Sequence, residues 1–439
     1  MLEAHGAGPA PPGASAAAGP RVEDDVTFQL VARTGQPTFG DLPWHLPLAE
    51  WQSERLVEVA RGIHRHVVRF VSYGDALYAL KELPERIALR EYRLLRRLDD
   101  ESVMVVQAVG VVTRRRGREQ LEAVLITRYL DFSLPYRTLF AGTVTPDLRN
   151  HLLDALAGLL VRLHLTGFFW GDCSLSNTLF RRDAGALAAY LVDAETGEMH
   201  GELSDGQRRH DLEIAELHVA GELMDVEAAQ DGLPAEFDPV DTAAEIPLRY
   251  QALYDAVTHE EVFGPDETYR IEERLRRLNE LGFDVEEIEL LGEGDRRRLR
   301  LDPRVVEAGH HRRRLLMLTG LDVQENQARR LLNDIAAYRA YLERSTGGAV
   351  PESVAAYRWL VEIFNPSVAA VPPELAGKRE PAELFHEILD HRWFLSEAAG
   401  QDIGTQAAVR SYVAEVLPRT PDERVVAEEP AAEPEDLLG

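Results

Sequence analysis

Apolar residues fall in short runs near 56–61, 66–72, 75–82, 104–113 and 121–128, separated by turn-forming residues, and such runs predict β-strands. The period changes after Pro84. Over 84–98, Ile87, Glu91, Leu94 and Leu98 recur at the spacing of one helical stripe. Thr145, Pro146 and Asp147 form a helix start, with a cap, a fixed first φ and a charge suited to the positive dipole end. Leu152, Leu156, Leu159, Leu160 and Leu163 then make its buried stripe, which ends at Gly167. From about 260 the pattern is helical, with helices predicted at 269–281, 322–342 (capped through 319–322), 351–364, 381–399 and 405–417. The segment 26–60, with Trp44 and Trp51, reads as a short helical lead-in on the strands, and the arginines at 114–116 and 118 as a solvated hairpin tip.

With 439 residues, 45% of them apolar, the chain can bury a large core and predicts more than one domain. Residues 1–22 and the acidic stretch 419–439 are low in complexity and predict disorder. The net charge of -27 opposes nucleic acid and anionic membrane surfaces as partners. No secretory leader and no long apolar run is visible, so stable membrane insertion is not expected. A single cysteine excludes an internal disulfide and fits a reducing cytoplasm.

The chemistry concentrates after the second helix. Asp172 is followed five positions later by Asn177, and Asp193 closes an apolar strand. This is a phosphoryl-transfer layout: one carboxylate orients a hydroxyl nucleophile, while an amide and a second carboxylate hold magnesium on ATP phosphates. Only two lysines occur, and Lys81 sits on a strand about where a phosphate-gripping lysine belongs. A compact ammonium suits crowded phosphate oxygens better than a planar guanidinium. Glu91 interrupts an apolar helix face, so it either pairs with Lys81 or lies at the edge of the stripe and reaches water.

These residues resemble those of the lipopolysaccharide (Kdo and heptose) kinase family, related to small-molecule kinases of the aminoglycoside phosphotransferase type, over roughly 55–255. The part beyond about 260 resembles a helical domain of unknown function that follows such lobes in GC-rich bacteria. The resemblance implies an α+β, two-lobed protein-kinase-like fold followed by an all-helical C-terminal domain. It places the small lobe with its lead-in at 23–130, the large lobe at 131–258 and the helical domain at 259–418. ATP and Mg2+ are the implied cofactors. Lys81 would bind phosphate and Glu91 hold it, Asp172 would be the base, Asn177 and Asp193 the metal ligands, and Asp211 the brace beneath the loop. Gly62 would sit at the lid turn, and Thr127 to Leu130, including Tyr129, at the adenine hinge.

The sequence departs from that pattern in places. There is one glycine, Gly62, where a glycine-rich lid belongs, and His64, Arg65 and His66 either supply positive side chains there or are exposed turn residues. Ala194 and Glu195 follow Asp193, with the glycine delayed to Gly197, and no phosphorylatable activation loop follows. Cys173 reads as a buried packing residue. His386 and His391 are five apart, which turns one off the helix face that zinc would need. The arginines at 296–298, 300 and 312–314 either hold an anionic substrate or neutralise acidic surfaces of the same chain. The expected function is phosphoryl transfer from ATP to a hydroxyl acceptor (sugar, small metabolite or protein). The alternative is a pseudokinase or nucleotide-sensing module without turnover, and the helical domain could hold the acceptor or a protein partner.

Overall fold

In the small lobe, seven strands form one antiparallel sheet. They are β1 (Val26–Ala32), β2 (Leu56–Val57), β3 (Val68–Tyr73), β4 (Ala76–Leu83), β5 (Ala108–Arg116), β6 (Glu119–Gln120) and β7 (Ala123–Arg128). Their order is β1-β5-β7-β4-β3-β2, with β6 on β5. The computed structural model describes residues 26–32, 34–59, 66–116, 118–140, 146–229, 237–258, 261–263, 283–285, 288–291, 298–301 and 306–424. Alternation along β4 sorts its side chains. Leu77, Ala79 and Lys81 share one face, and Tyr78, Leu80 and Glu82 the other.

The second face is covered by Phe39, Leu42, Trp44, Leu48 and Trp51. That covering segment is not the expected helical lead-in. It consists of turns and one 3-10 turn (Leu48–Glu50), while Val26–Ala32, alternating in character, extends the sheet along β5. The basic hairpin tip is also corrected at its first residue. Arg114 is 2% exposed and pairs with the buried Glu82. It also donates to the carbonyl oxygens of Leu46 (2.6 Å) and Glu122 (2.8 Å). In a strand it falls on the same side as Val112, and the covering segment closes over it.

Helix α1 (Glu85–Asp100) packs on the sheet and buries Ala88, Tyr92, Leu95 and Leu98 in the core that continues into the large lobe. The large lobe contains β8 (Leu134–Pro135), α2 (Tyr136–Phe140), α3 (Pro146–Leu165), β9 (Phe168–Phe169), β10 (Thr178–Asp183), β11 (Ala186–Leu191), β12 (Glu198–Met199), α4 (Asp205–Ala229) and α5 (Pro239–Thr258). The leucine stripe of α3 is buried as its spacing predicts, and the cap at Thr145 lies outside the described residues. No helix among the described residues is long and apolar enough to cross a membrane.

Beyond α5 the chain is not helical throughout. β13 (Glu261–Phe263), β14 (Phe283–Val285), β15 (Ile288–Leu291), β16 (Arg298–Leu301) and β17 (Val306–Ala308) form two small antiparallel sheets. Apolar and acidic residues alternate over 283–286 and again over 287–290, a local period of two that competes with the helical reading. The helix predicted at 269–281 lies outside the described residues.

The helical part proper is α6 (His310–Thr319), α7 (Glu325–Thr346), α8 (Glu352–Trp359), α9 (Asn365–Ala369), α10 (Pro381–Ala399) and α11 (Thr405–Ser411). Its core gathers Leu315, Leu331, Ile335, Trp359, Phe364 and Phe385. Helix α7 starts later than expected, because Gln324 and Gln327 form a capping box in place of a cap at 319–322. Arg312 and Arg314 pair with Asp322 and Glu352 of the same chain. Docked structure also runs past the expected start of the disordered tail. Glu423 is buried, and the N–H groups of Glu423 and Arg424 donate to the Gly377 carbonyl.

Candidate active site

Strand β4 and helix α1 deliver the first half of the site. Lys81 Nζ lies 3.3 Å from Glu91 Oε2, 2.6 Å from Asp193 Oδ2 and 3.4 Å from Glu195 Oε2. Glu91 therefore pairs with Lys81 and does not reach water, being 1% exposed. Burial opposes the charge on Lys81, but the carboxylates of Glu91 and Asp193 outweigh it and hold the ammonium above its usual pKa. Burial, reinforced by Asp193, pushes Glu91 up to about 8, with Lys81 offsetting part of the rise. The two shifts pull in opposite senses for one pair. The distances resolve this: Asp193 is the close counterion of Lys81, and Glu91 is the carboxyl that shares a proton at neutral pH.

The loop after β11 is tied to α1. The Ala194 N–H points at Glu91 Oε1 (3.4 Å), and Arg90 donates to the Gly197 carbonyl (2.6 Å). Gly197 is glycine because a Cβ there would come within 2.1 Å of the Phe168 ring. Glu195, unassigned by the sequence reading, approaches Lys81 and also His66 Nε2 (3.0 Å). His66 is thus a cleft residue, while Gly62, His64 and Arg65 lie outside the described residues.

The loop between β9 and β10 forms the second half. Gly171 has φ +74°, a left-handed turn that aims the next residue, Asp172. Asn177 Nδ2 donates to Asp172 Oδ2 (3.0 Å) and to its carbonyl (3.1 Å). The Val192 N–H donates to the Asn177 carbonyl (3.0 Å), which sets Asn177 beside the strand end that carries Asp193. Burial raises the pKa of Asp172, opposed first by His218.

Helix α4 holds this loop with one stripe. Asp211, fully buried, accepts from the N–H groups of Trp170 and Gly171 at 2.8 Å each and from His164 Nε2 at 3.0 Å. His164 in turn meets the Tyr250 hydroxyl (2.7 Å), so it belongs to the brace. Two turns further along α4, His218 Nδ1 lies 3.3 Å from Asp172 Oδ1. Glu222 then accepts from the N–H groups of Leu175 (2.5 Å) and Ser176 (3.0 Å). Sequence reasoning found Asp211 and missed His218 and Glu222. The signal was available, since 211, 215, 218 and 222 follow one helical face. Cys173 is buried among these groups, and burial pushes its thiol well up.

The expected hinge is used differently. Thr127 lies inside β7, a central strand paired with β4 and β5. The N–H groups of Arg128 and Tyr129 donate to the carbonyls of Gln107 and Leu77, both at 2.9 Å, so the sheet consumes them. Tyr129 contributes its ring, edge-on to Phe70 at 5.8 Å. That ring joins an apolar cluster of Val57, Val59, Phe70 and Leu77, packed with Val68 and Ala79. Because Leu77 and Ala79 share the β4 face of Lys81, the cluster and the charged cleft are continuous.

Among the described residues, Glu91, Asp193 and Glu195 form the one carboxylate, histidine or thiol grouping compact enough to hold a metal. His386 and His391 face different partners, Asp390 and Ser411. A cavity of about 670 Å³ between α7 and α10, lined by Arg330, Asp334, Arg392 and Trp393, contains none of the residues of this site.

Two family models match separate parts of the chain. Residues 72–227 match the lipopolysaccharide kinase (Kdo/WaaP) family, and residues 252–417 match a domain of unknown function, DUF4032. No curated protein matches. A solved structure of WaaP in complex with acyl carrier protein aligns with 58% of this chain and 99% of that one, at 17% identity and a TM-score of 0.36. A likeness of that size carries no argument about function. The family match supports a kinase-like phosphotransferase, and the antiparallel small lobe, the helical large lobe and the loop geometry are those of a kinase-like fold.

Proposed function

We propose that the protein is an ATP- and magnesium-dependent phosphotransferase that moves a γ-phosphoryl group onto an acceptor hydroxyl. The observation that carries the reading is the convergence of Lys81 on Asp193 (2.6 Å) and Glu91 (3.3 Å), with Asn177 bonded to Asp172 beside the same strand end.

The donor set fits magnesium. Asp193 and Glu195 are hard oxygen ligands, and Asn177 spends its amide N–H on Asp172, leaving its side-chain oxygen without a hydrogen-bond partner among the described residues. Bound there by Asp193 and Asn177, magnesium would neutralise charge on the phosphates. Lys81 would grip phosphate oxygens, with Glu91 fixing its position. The apolar cluster around Ala79 and Tyr129 would receive the adenine. With the Arg128 and Tyr129 amides consumed, the Leu130 N–H is the next backbone donor along the chain for its edge. Asp172 would orient the hydroxyl and take its proton as the new O–P bond forms and the bond to ADP breaks. His218 stands where it would favour the ionised form of that carboxylate.

Further readings rest on this one: a hydroxyl acceptor that is a sugar, a small metabolite or a protein, a cytoplasmic setting, and lobes divided near 130 and 258. The test is transfer of labelled γ-phosphate from ATP into a cell-extract acceptor pool, with Asp172→Ala and Asp193→Ala beside the wild type. Label incorporation lost in both variants supports the reading. Nucleotide binding without incorporation into any pool would favour a sensing module, and incorporation unaffected by Asp193→Ala would remove the mechanism.

A further inference from the structure

The strands β10 and β11 form a hairpin whose open end carries Asn177 on one side and Asp193 on the other. Its closed end is buried in the helical C-terminal domain. Asp183, 3% exposed, accepts from the Gln327 N–H (2.7 Å), the Asn326 N–H (3.2 Å) and Asn326 Nδ2 (3.0 Å) at the start of α7. Burial pushes its carboxyl up to about 6, so it is charged at neutral pH and held by donors at the positive end of a long helix.

The turn itself is gripped as well. Ala184 stands at φ +52°, a conformation costly for a residue with a Cβ, and its N–H donates to Glu383 Oε2 (2.8 Å) on α10. Arg181 pairs with Glu380 (2.6 Å) and Arg182 with Glu423 (2.6 Å). The Tyr190 hydroxyl donates to Gln324 Oε1 (2.5 Å), on the residue that caps α7. These hydrogen bonds and ion pairs all reach outside the kinase-like lobes, while Arg162 of α3 adds charge attraction to Asp183 from within them. At its open end the hairpin pairs with β8 through Leu179 and Phe180, and β11 is buried in the core with α3, whereas the hairpin tip extends past β8 to the helical domain. Here its far end holds two site residues roughly 20 Å from the tip, at about 3.3 Å of rise per residue.

We propose that the helical domain acts as a clamp in cis, with Asp183 as the positioning residue that fixes the spacing of Asn177 and Asp193. This gives the domain of unknown function a task. It sets, through the hairpin, the affinity of the site for a divalent cation, a role that rests on the phosphotransferase reading.

The test uses full-length Asp183→Ala, Asp183→Asn and Glu383→Gln, and compares amide hydrogen exchange with the magnesium concentration that half-saturates ATP binding. Asp183→Ala should speed exchange of the Val192 N–H, which bonds Asn177, about tenfold while leaving Ile126 in β7 unchanged. The magnesium requirement should rise roughly tenfold or more, as for other supports of metal ligands. Asp183→Asn, which keeps one acceptor oxygen, should recover part of the protection. Val192 exchange that is unchanged, or that rises in step with Ile126, overturns the clamp. If Asp183→Ala does not fold, Glu383→Gln carries the same comparison. A wild type that binds no ATP with magnesium would sink the phosphotransferase reading alone, because the exchange at Val192 still decides the clamp.

Discussion

Glu91→Gln isolates the most heavily loaded carboxyl in the cleft. Glu91 is buried and has the carboxylate of Asp193 as a neighbour, and its pKa rises from 4.5 to about 8. The folded protein therefore binds one more proton than the unfolded chain across that window. The contribution of this one group to wild-type stability should fall as pH climbs from about 4.5 to about 8, by up to about 1.4 kcal/mol per pH unit. The amide keeps the shape and an acceptor for the Ala194 N–H but cannot ionise, so the variant escapes the penalty. Its stability relative to wild type should rise by that slope between pH 5.5 and 7.5 and level off above about 8. Urea unfolding of both proteins at several pH values measures the difference. Phosphoryl transfer by the variant should fall furthest behind wild type above about pH 8, where Glu91 is ionised and the amide offers Lys81 no charge. A stability difference that is flat with pH would refute the assignment of the proton to this buried carboxyl.

Asp172→Asn should cut transfer by roughly a hundredfold or more while leaving ATP binding near wild type, as read by single-turnover kinetics beside a binding titration. Glu222→Ala strips the acceptor from the Leu175 and Ser176 N–H groups. About 2 kcal/mol of stability should be lost and kcat should drop with little change in the KM for ATP, and unchanged unfolding would contradict the bracing role. Arg114→Met should cost about 3–5 kcal/mol, because it leaves Glu82 buried without its partner. The double variant Arg114→Met with Glu82→Leu should recover part of that loss in the same denaturation assay, since the Leu46 and Glu122 carbonyls and the Leu48 N–H stay without their partners.

The legible parts of the molecule were those in which one residue broke a period. Glu91 stood out because it interrupts an apolar stripe, and Lys81 because an arginine-rich chain keeps a lysine on a strand. Asp172, Asn177 and Asp193 share one short segment, so local spacing reports their proximity. Glu82 and Arg114 also sit on apolar alternations, but their partnership crosses 32 positions and is closed over by the segment around Trp44, which local pattern does not reveal. His218 and Glu222 follow Asp211 on one face of α4, yet their targets are backbone groups and a carboxylate set by tertiary folding. Among the described residues of 260–308 strands replace the helical reading, and at 283–285 and 288–291 the local alternation was overridden by the surrounding helical pattern. The docking of Asp183 was invisible for a similar reason, since an Asp before Ala-Gly reads first as a turn residue.

The most direct test is a titration of ATP binding with and without magnesium, on wild type, Lys81→Met and Asp193→Ala. Magnesium-dependent binding that is weakened at least tenfold in both variants is the predicted result. Binding that ignores magnesium and survives Asp193→Ala unchanged would contradict the account.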